Sequence, residues 1–193
     1  MLKKLAKVMP SSKLKTLMFG LFQSKLIYCI TVWGRVWNIP GNLDEQNLLS
    51  SSLTKEDARK LQVLQNKCLR LITNSDYRTP TATLIDKTNM LSVHQLTAHL
   101  SLTQVFNINQ TKLPTYHYER LFHPSSKPQT RYEASLPAKR ADFELSQART
   151  SFFHQSSRLW TALPQQIKQL NNKHQFKKKS KIWVRANIPV KPI

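Results

Sequence analysis

Thr54-Lys55-Glu56-Asp57-Ala58-Arg59-Lys60-Leu61-Gln62-Val63-Leu64-Gln65-Asn66-Lys67-Cys68-Leu69-Arg70-Leu71-Ile72-Thr73 is the stretch that decides the fold. Thr54 followed three residues on by Asp57 resembles a capping box, and Glu56 and Asp57 put two acids in the first turn, where the helix dipole favours them. Stepping around the axis at about 100° per residue gathers Leu61, Leu64, Cys68, Leu71 and Ile72 on one side, with Ala58 and Leu69 at its margin. Arg59, Lys60, Asn66, Lys67 and Arg70 gather on the opposite side. The pattern predicts a helix that packs through its apolar side. Its cationic side serves either as a solvated surface or as a stripe facing a phosphate backbone.

Working outward, the preceding segment predicts a buried helix from Ser12 to about Trp33. Leu14, Leu17, Met18, Leu21, Phe22, Leu26, Ile27, Ile30 and Trp33 leave almost no polar face. Gly34 and Pro40-Gly41 end it, and a polar loop runs from Gly41 to Leu53. A membrane span is not expected there. Lys25 divides the segment into uncharged pieces of nine residues, where about 20 are needed. The lysines before Asp44 also suit a mitochondrial presequence, but such peptides prefer Arg, and the first here is Arg35.

On the other side, Asn74-Ser75-Asp76 marks a stop, and Thr79-Pro80-Thr81 predicts an extended segment or turn. A short helix is expected over Thr83 to Lys87. Ser92 with Gln95 forms a second capping box, opening a helix through Val93, Leu96, Leu100 and Phe106. Another short helix follows Pro114 towards Phe122. Residues 123–137, with Pro124, Pro128 and Pro137, predict a linker. Arg140 to Phe153 alternates irregularly and suggests one or two short strands. Helices are expected over Ser157 to Leu163, Gln165 to Leu170 and Lys173 to Arg185, with a frayed end from Ile188 to Ile193. The expected fold is therefore mainly α. A helical domain spans residues 1–122, and a small, partly irregular α+β basic tail spans residues 138–193.

Charge is the most informative bulk property. Thirty Lys plus Arg against ten Asp plus Glu give a formal net charge of +20 over 193 residues. An excess of that size favours a polyanionic partner, and each phosphate neutralised releases counterions. The expected partner is RNA, DNA or their hybrid, with neither a small-molecule substrate nor a membrane. Cys29 and Cys68 read as small buried hydrophobes rather than a disulfide, which fits an intracellular setting.

Catalytic chemistry has no footing in the pattern. The adjacent acids Asp44-Glu45 and Glu56-Asp57 have ordinary roles in a loop and a first helical turn, so no two-metal centre is expected. Neither cysteine forms a Cys-x-x-Cys pair, and His94 and His99 do not share a helix face. Gly20, Gly34 and Gly41 cannot build a phosphate-cradling loop. No cofactor, metal or enzymatic activity is expected.

Several segments together resemble a family. Thr16-Leu17-Met18-Phe19-Gly20-Leu21-Phe22 and Tyr28-Cys29-Ile30-Thr31-Val32-Trp33-Gly34 resemble the first thumb helix of non-long-terminal-repeat (LINE-type, jockey-like) retrotransposon reverse transcriptases. Leu61 to Thr73 is similar to the helix that follows in that family. Thr79-Pro80-Thr81, Met90-Leu91-Ser92-Val93, Thr130-Arg131, Arg158-Leu159-Trp160-Thr161-Ala162-Leu163-Pro164 and Phe176-Lys177-Lys178 continue in the family's order. Ser156-Ser157 stand where many members carry Gly-Pro.

The resemblance implies a thumb and C-terminal tail without the palm, whose metal-binding aspartates would precede Met1. The chain is then expected to be a non-catalytic fragment of an RNA-directed DNA polymerase. A transposable element truncated at its 5′ end would produce such a fragment. Arg59, Lys60, Lys67 and Arg70 would contact phosphates of a template–primer duplex, and Lys177, Lys178, Lys179, Lys181 and Arg185 would act similarly. The family implies a nuclear location. The alternatives are a poorly folded relic without function and a basic mitochondrial nucleic-acid-binding protein.

Overall fold

A computed structural model of the chain describes residues 2–6, 8–28, 30–34, 36, 55–122 and 152–190. The described residues are mainly helical and contain no strand. Helices α1 (Leu2–Leu5), α2 (Ser11–Met18), α3 (Ser24–Ile27) and α4 (Ile30–Trp33) open the chain. A π-helical segment, Phe19–Gln23, joins α2 to α3, so residues 11–27 form one helical run. The single helix expected from Ser12 to Trp33 is interrupted at Tyr28, whose ψ of 114° leaves the helical region.

Then come α5 (Lys55–Thr73), α6 (Thr81–Thr88), α7 (Val93–Thr111) and α8 (Thr115–Phe122). The final three are α9 (Phe152–Ala162), α10 (Gln165–Lys168) and α11 (Lys173–Asn187). The cap expected at Thr54, the loop before it, the linker and most of the expected strand region lie outside the described residues. The last two residues of that strand region, Phe152 and Phe153, begin α9 instead.

Helix α7 is the axis of the fold. Its N-terminus is the Ser92–Gln95 capping box, with both reciprocal hydrogen bonds present. Residues such as Ala98, Leu102, Val105 and Phe106 are buried to 1% exposure or less, and helices α4, α5, α8, α9 and α11 all pack on it. A helix surrounded in this way can be apolar on most sides. Against it, Leu159 and Trp160 of α9 and Phe176, Trp183 and Val184 of α11 complete one core. Phe106 stacks on Phe176 with ring centroids 4.2 Å apart. That core therefore joins residues from both sides of the expected linker. Ile188, placed in a fraying end by the sequence pattern, is fully buried within it.

A second core lies between α2, α5 and α6, formed by Leu14, Met18, Leu69, Ile72, Leu84 and Ile85. A third holds Leu26 and Ile30 against Leu91, Val93 and Leu96. Gly34 follows α4 where the chain meets α7. A Cβ there would lie 2.4 Å from the Ile30 carbonyl oxygen and 2.8 Å from Thr97 Cγ2, so only glycine fits without a shift.

Helix α5 packs through a different face from the one its apolar pattern selects. Leu69, expected at the margin, is completely buried, whereas Leu64 is 47% exposed. The buried side is centred on Leu69 and includes Gln62, Gln65 and Asn66. This is a rotation of about one residue step, or about 100°. Hydrogen bonding explains it. Gln62 Nε2 donates to Gln65 Oε1 (2.8 Å) and to Asn66 Oδ1 (3.0 Å), and Gln62 Oε1 accepts from Val93 N (2.9 Å). Gln65 Nε2 donates to the Leu91 carbonyl (2.9 Å), and Asn66 Nδ2 to Thr81 Oγ1 (2.7 Å). The ladder satisfies backbone groups at the start of α7 and ties α5 to α6. Paired in this way, buried amides avoid the desolvation penalty that would otherwise push them to the surface.

Candidate nucleic-acid interface

The nine cations singled out from the sequence fall into four environments. Arg59 and Lys60 lie on the exposed side of α5, but each reaches a carboxylate of the first turn. Arg59 Nε is 3.4 Å from Glu56 Oε2, and Lys60 Nζ is 3.5 Å from Asp57 Oδ1. These pairs are more than half exposed at the arginine and lysine and readily exchange their partner for a phosphate. Their local charge is nonetheless balanced. Asn66, placed beside them by the helical pattern, is buried and faces Thr81.

Lys67 and Arg70 stand further along α5, where the neighbouring turn adds two residues that sequence reasoning did not select. Helix α5 is followed by Asn74, whose φ of 47° turns the chain back. Tyr77 and Arg78 follow on that turn. Together with Lys67, Arg70, Thr81 and Val190 they line a groove of about 580 Å³, along which no carboxylate of the described residues lies. Arg70 donates through Nη2 to the Thr79 carbonyl (3.1 Å), and its guanidinium carbon sits 5.4 Å from the centre of the Tyr77 ring. Its Nε is enclosed and lacks an acceptor among the described residues. The Tyr-Arg pair beside a basic helix was the available signal, but it becomes one only once the turn folds it against α5.

Lys181 and Arg185 also make contacts within the fold. Helix α6 ends at Asn89 in the left-handed region, φ 52°, and Met90 N closes the end on the Ile85 carbonyl (3.1 Å). Three cations meet this helix end. Lys15 Nζ donates to the Thr88 carbonyl (2.7 Å) and Lys181 Nζ to the Asn89 carbonyl (2.9 Å). Arg185 contacts both Asn89 Oδ1 and Asp86 Oδ1 at 2.6 Å. Cations at a helix C-terminus interact favourably with its dipole. Burial, then the neighbouring Arg185 and Lys15, lowers the pKa of Lys181. With Lys15 of α2, Lys181 and Arg185 of α11 thus clasp the end of α6, which makes them structural as well as cationic.

Lys177, Lys178 and Lys179 are exposed, because α11 turns Phe176, Ser180, Trp183 and Val184 inward. Beside this basic turn, His99 of α7 lies 3.2 Å from Ser180 Oγ through Nδ1. Burial first, then Lys181 and Lys177, lowers its pKa to about 4, so it is neutral at pH 7. Cys68 is half-buried, and burial raises its thiol pKa, which favours the neutral thiol.

Among the described residues, no three His, Cys, Asp or Glu side chains come together to hold a metal. No helix of the described residues is long and apolar enough to cross a membrane. Comparison with protein-family models, with curated proteins and with solved structures finds no match for the chain.

Proposed function

We propose that the chain is a non-catalytic nucleic-acid-binding fragment of a retrotransposon RNA-directed DNA polymerase, corresponding to thumb and tail. On this reading it holds an RNA, DNA or hybrid duplex through backbone phosphates without reading sequence. The observation that carries the binding is the placement of Lys67 and Arg70 beside Arg78, on a chain whose net charge is +20. Phosphate contacts from such a group position a duplex, and they carry no sequence information. Exposed Lys177, Lys178 and Lys179 supply a second cationic array. The polymerase assignment rests on the ordered motif resemblance, and a nuclear location belongs to the same reading.

A salt titration of binding to an RNA–DNA hybrid tests it. Each phosphate neutralised contributes about 0.9 to the slope of log affinity against log salt on B-form DNA, and a comparable term is expected on the hybrid. Lys67→Glu combined with Arg70→Glu weakens binding and flattens that slope. A slope that stays the same in the double variant would remove this face from the interface.

A second reading has its own support. Phe19, Leu21 and Ile27 of the first helical run, Tyr28 at its end and Val32 of α4 are 40% to 77% exposed. A preceding domain could cover such a surface, and a chain lacking that cover would be a poorly soluble relic. Aggregation of the purified chain, with poor helical content by circular dichroism, would favour that reading.

A further inference from the structure

The groove between α5 and the turn before α6 has features that a duplex-facing surface does not need. It is concave, about 580 Å³ in volume, within the range of pockets that enclose small ligands. Lys67, Arg70 and Arg78 line it, and so does the first turn of α6, at Thr81 and Ala82. That turn has no side-chain cap from Pro80 and no acid of its own. Its first N–H groups, which by position have no intrahelical acceptor, add to the cationic lining as partners for an anion.

Tyr77 gives the groove an aromatic wall. Tyr77 is 81% exposed, and the Arg70 guanidinium carbon sits over its ring at 5.4 Å. A guanidinium on one face leaves the other face of the ring open to a flat partner. Bases inside a duplex have both faces covered by their neighbours, whereas an unpaired base offers one face for stacking on an aromatic ring. An anion partner and a stacking partner lie within one groove, and a nucleotide carries both.

We propose that this groove seats one unpaired nucleotide of a bound strand, its phosphate held by Lys67, Arg70 and Arg78 and its base stacked on Tyr77. The proposal rests on the nucleic-acid-binding reading above and adds a subsite to it. It makes the chain prefer a duplex that carries a single-stranded extension.

The test compares a blunt RNA–DNA hybrid, the same hybrid with a short unpaired extension, and one whose extension is abasic, by fluorescence anisotropy at fixed salt. Stacking of one base gives an expected preference of roughly fivefold to hundredfold for the normal extension over the abasic one. Tyr77→Ala abolishes that ratio, and Tyr77→Phe keeps it. Tyr77 is largely exposed, so neither substitution disturbs the core. Arg78→Glu weakens binding of both extended hybrids relative to the blunt one.

Equal affinity for blunt and extended hybrids overturns the subsite and leaves duplex binding intact. Equal affinity for normal and abasic extensions overturns the base seat, as does a ratio that survives in Tyr77→Ala. Failure to bind any of the three overturns the subsite together with the reading beneath it.

Discussion

Gln95 and Ile188, 93 positions apart, are joined by a buried hydrogen bond from Gln95 Nε2 to the Ile188 carbonyl at 2.8 Å. The other end of the same amide, Oε1, accepts from Ser92 N at 3.2 Å and completes the capping box of α7. One side chain therefore starts the central helix and anchors the chain after α11. Gln95→Glu separates the two roles, because a carboxylate still accepts from Ser92 N but cannot donate to Ile188. Replacing Gln95 by Ala removes both. Urea unfolding is expected to show a loss of about 1–3 kcal/mol for Gln95→Glu, from the buried unpaired carbonyl and carboxylate, and at least as much for Gln95→Ala. Equal stability of Gln95→Glu and the parent would show that the carbonyl of Ile188 does not need this donor.

The rotated packing of α5 is open to a direct comparison. Gln65 is fully buried and Leu64 is 47% exposed. Gln65→Leu removes the donor to Leu91 and the acceptor for Gln62, and is expected to cost about 1–3 kcal/mol. Leu64→Gln changes an exposed position and is expected to stay within about 0.5 kcal/mol of the parent. A hydropathy reading of the helix ranks these two substitutions the other way round, so thermal or urea unfolding decides between the faces.

The four cation environments predict a division between binding and stability. Arg185→Gln loses the contacts to Asp86 and Asn89. It is expected to lower stability by about 0.5–1 kcal/mol, since Asp86 is largely exposed and screened by solvent. Lys178 has no such partner among the described residues, so Lys178→Glu should leave unfolding unchanged while weakening hybrid binding. A paired set of unfolding curves and anisotropy titrations checks both. Loss of stability in Lys178→Glu would place that residue in the fold rather than at the interface.

His99 links stability to pH. Its pKa falls from an ordinary 6.5 to about 4 in the folded chain, through burial and then Lys181 and Lys177. Between those values the unfolded chain takes up a proton that the folded chain refuses. The contribution is thus fully present above about pH 6.5 and is lost as pH falls towards 4, by roughly 3 kcal/mol. His99→Gln should flatten unfolding free energy across that window, measured by urea unfolding from pH 7 downward. An unaltered slope would mean that other groups carry the acid sensitivity.

Much of the helical organisation is legible without coordinates. The Ser92–Gln95 box, the short helix before it, the helices after Ser157 and the basic last helix all follow local rules that act within a few residues. The cationic candidates are legible as residue types. Their partition is not, because Arg59 finds Glu56 on its own helix while Arg185 finds Asp86 on another.

Sequence alone determined that the described residues are mainly helical and that the chain is strongly basic, since helix periodicity, caps and net charge are properties of neighbours and sums. Tertiary structure decided which face of α5 is buried, because Gln62, Gln65 and Asn66 count as polar until backbone partners at Leu91 and Val93 and the Thr81 hydroxyl reach them. It also decided that Lys181 and Arg185 cap α6 and that Arg78 joins Lys67 and Arg70. It buried Ile188 against α7 as well. Each of these depends on a hydrogen bond, charge or apolar contact between residues distant in sequence, and periodicity within a single helix carries no information about them.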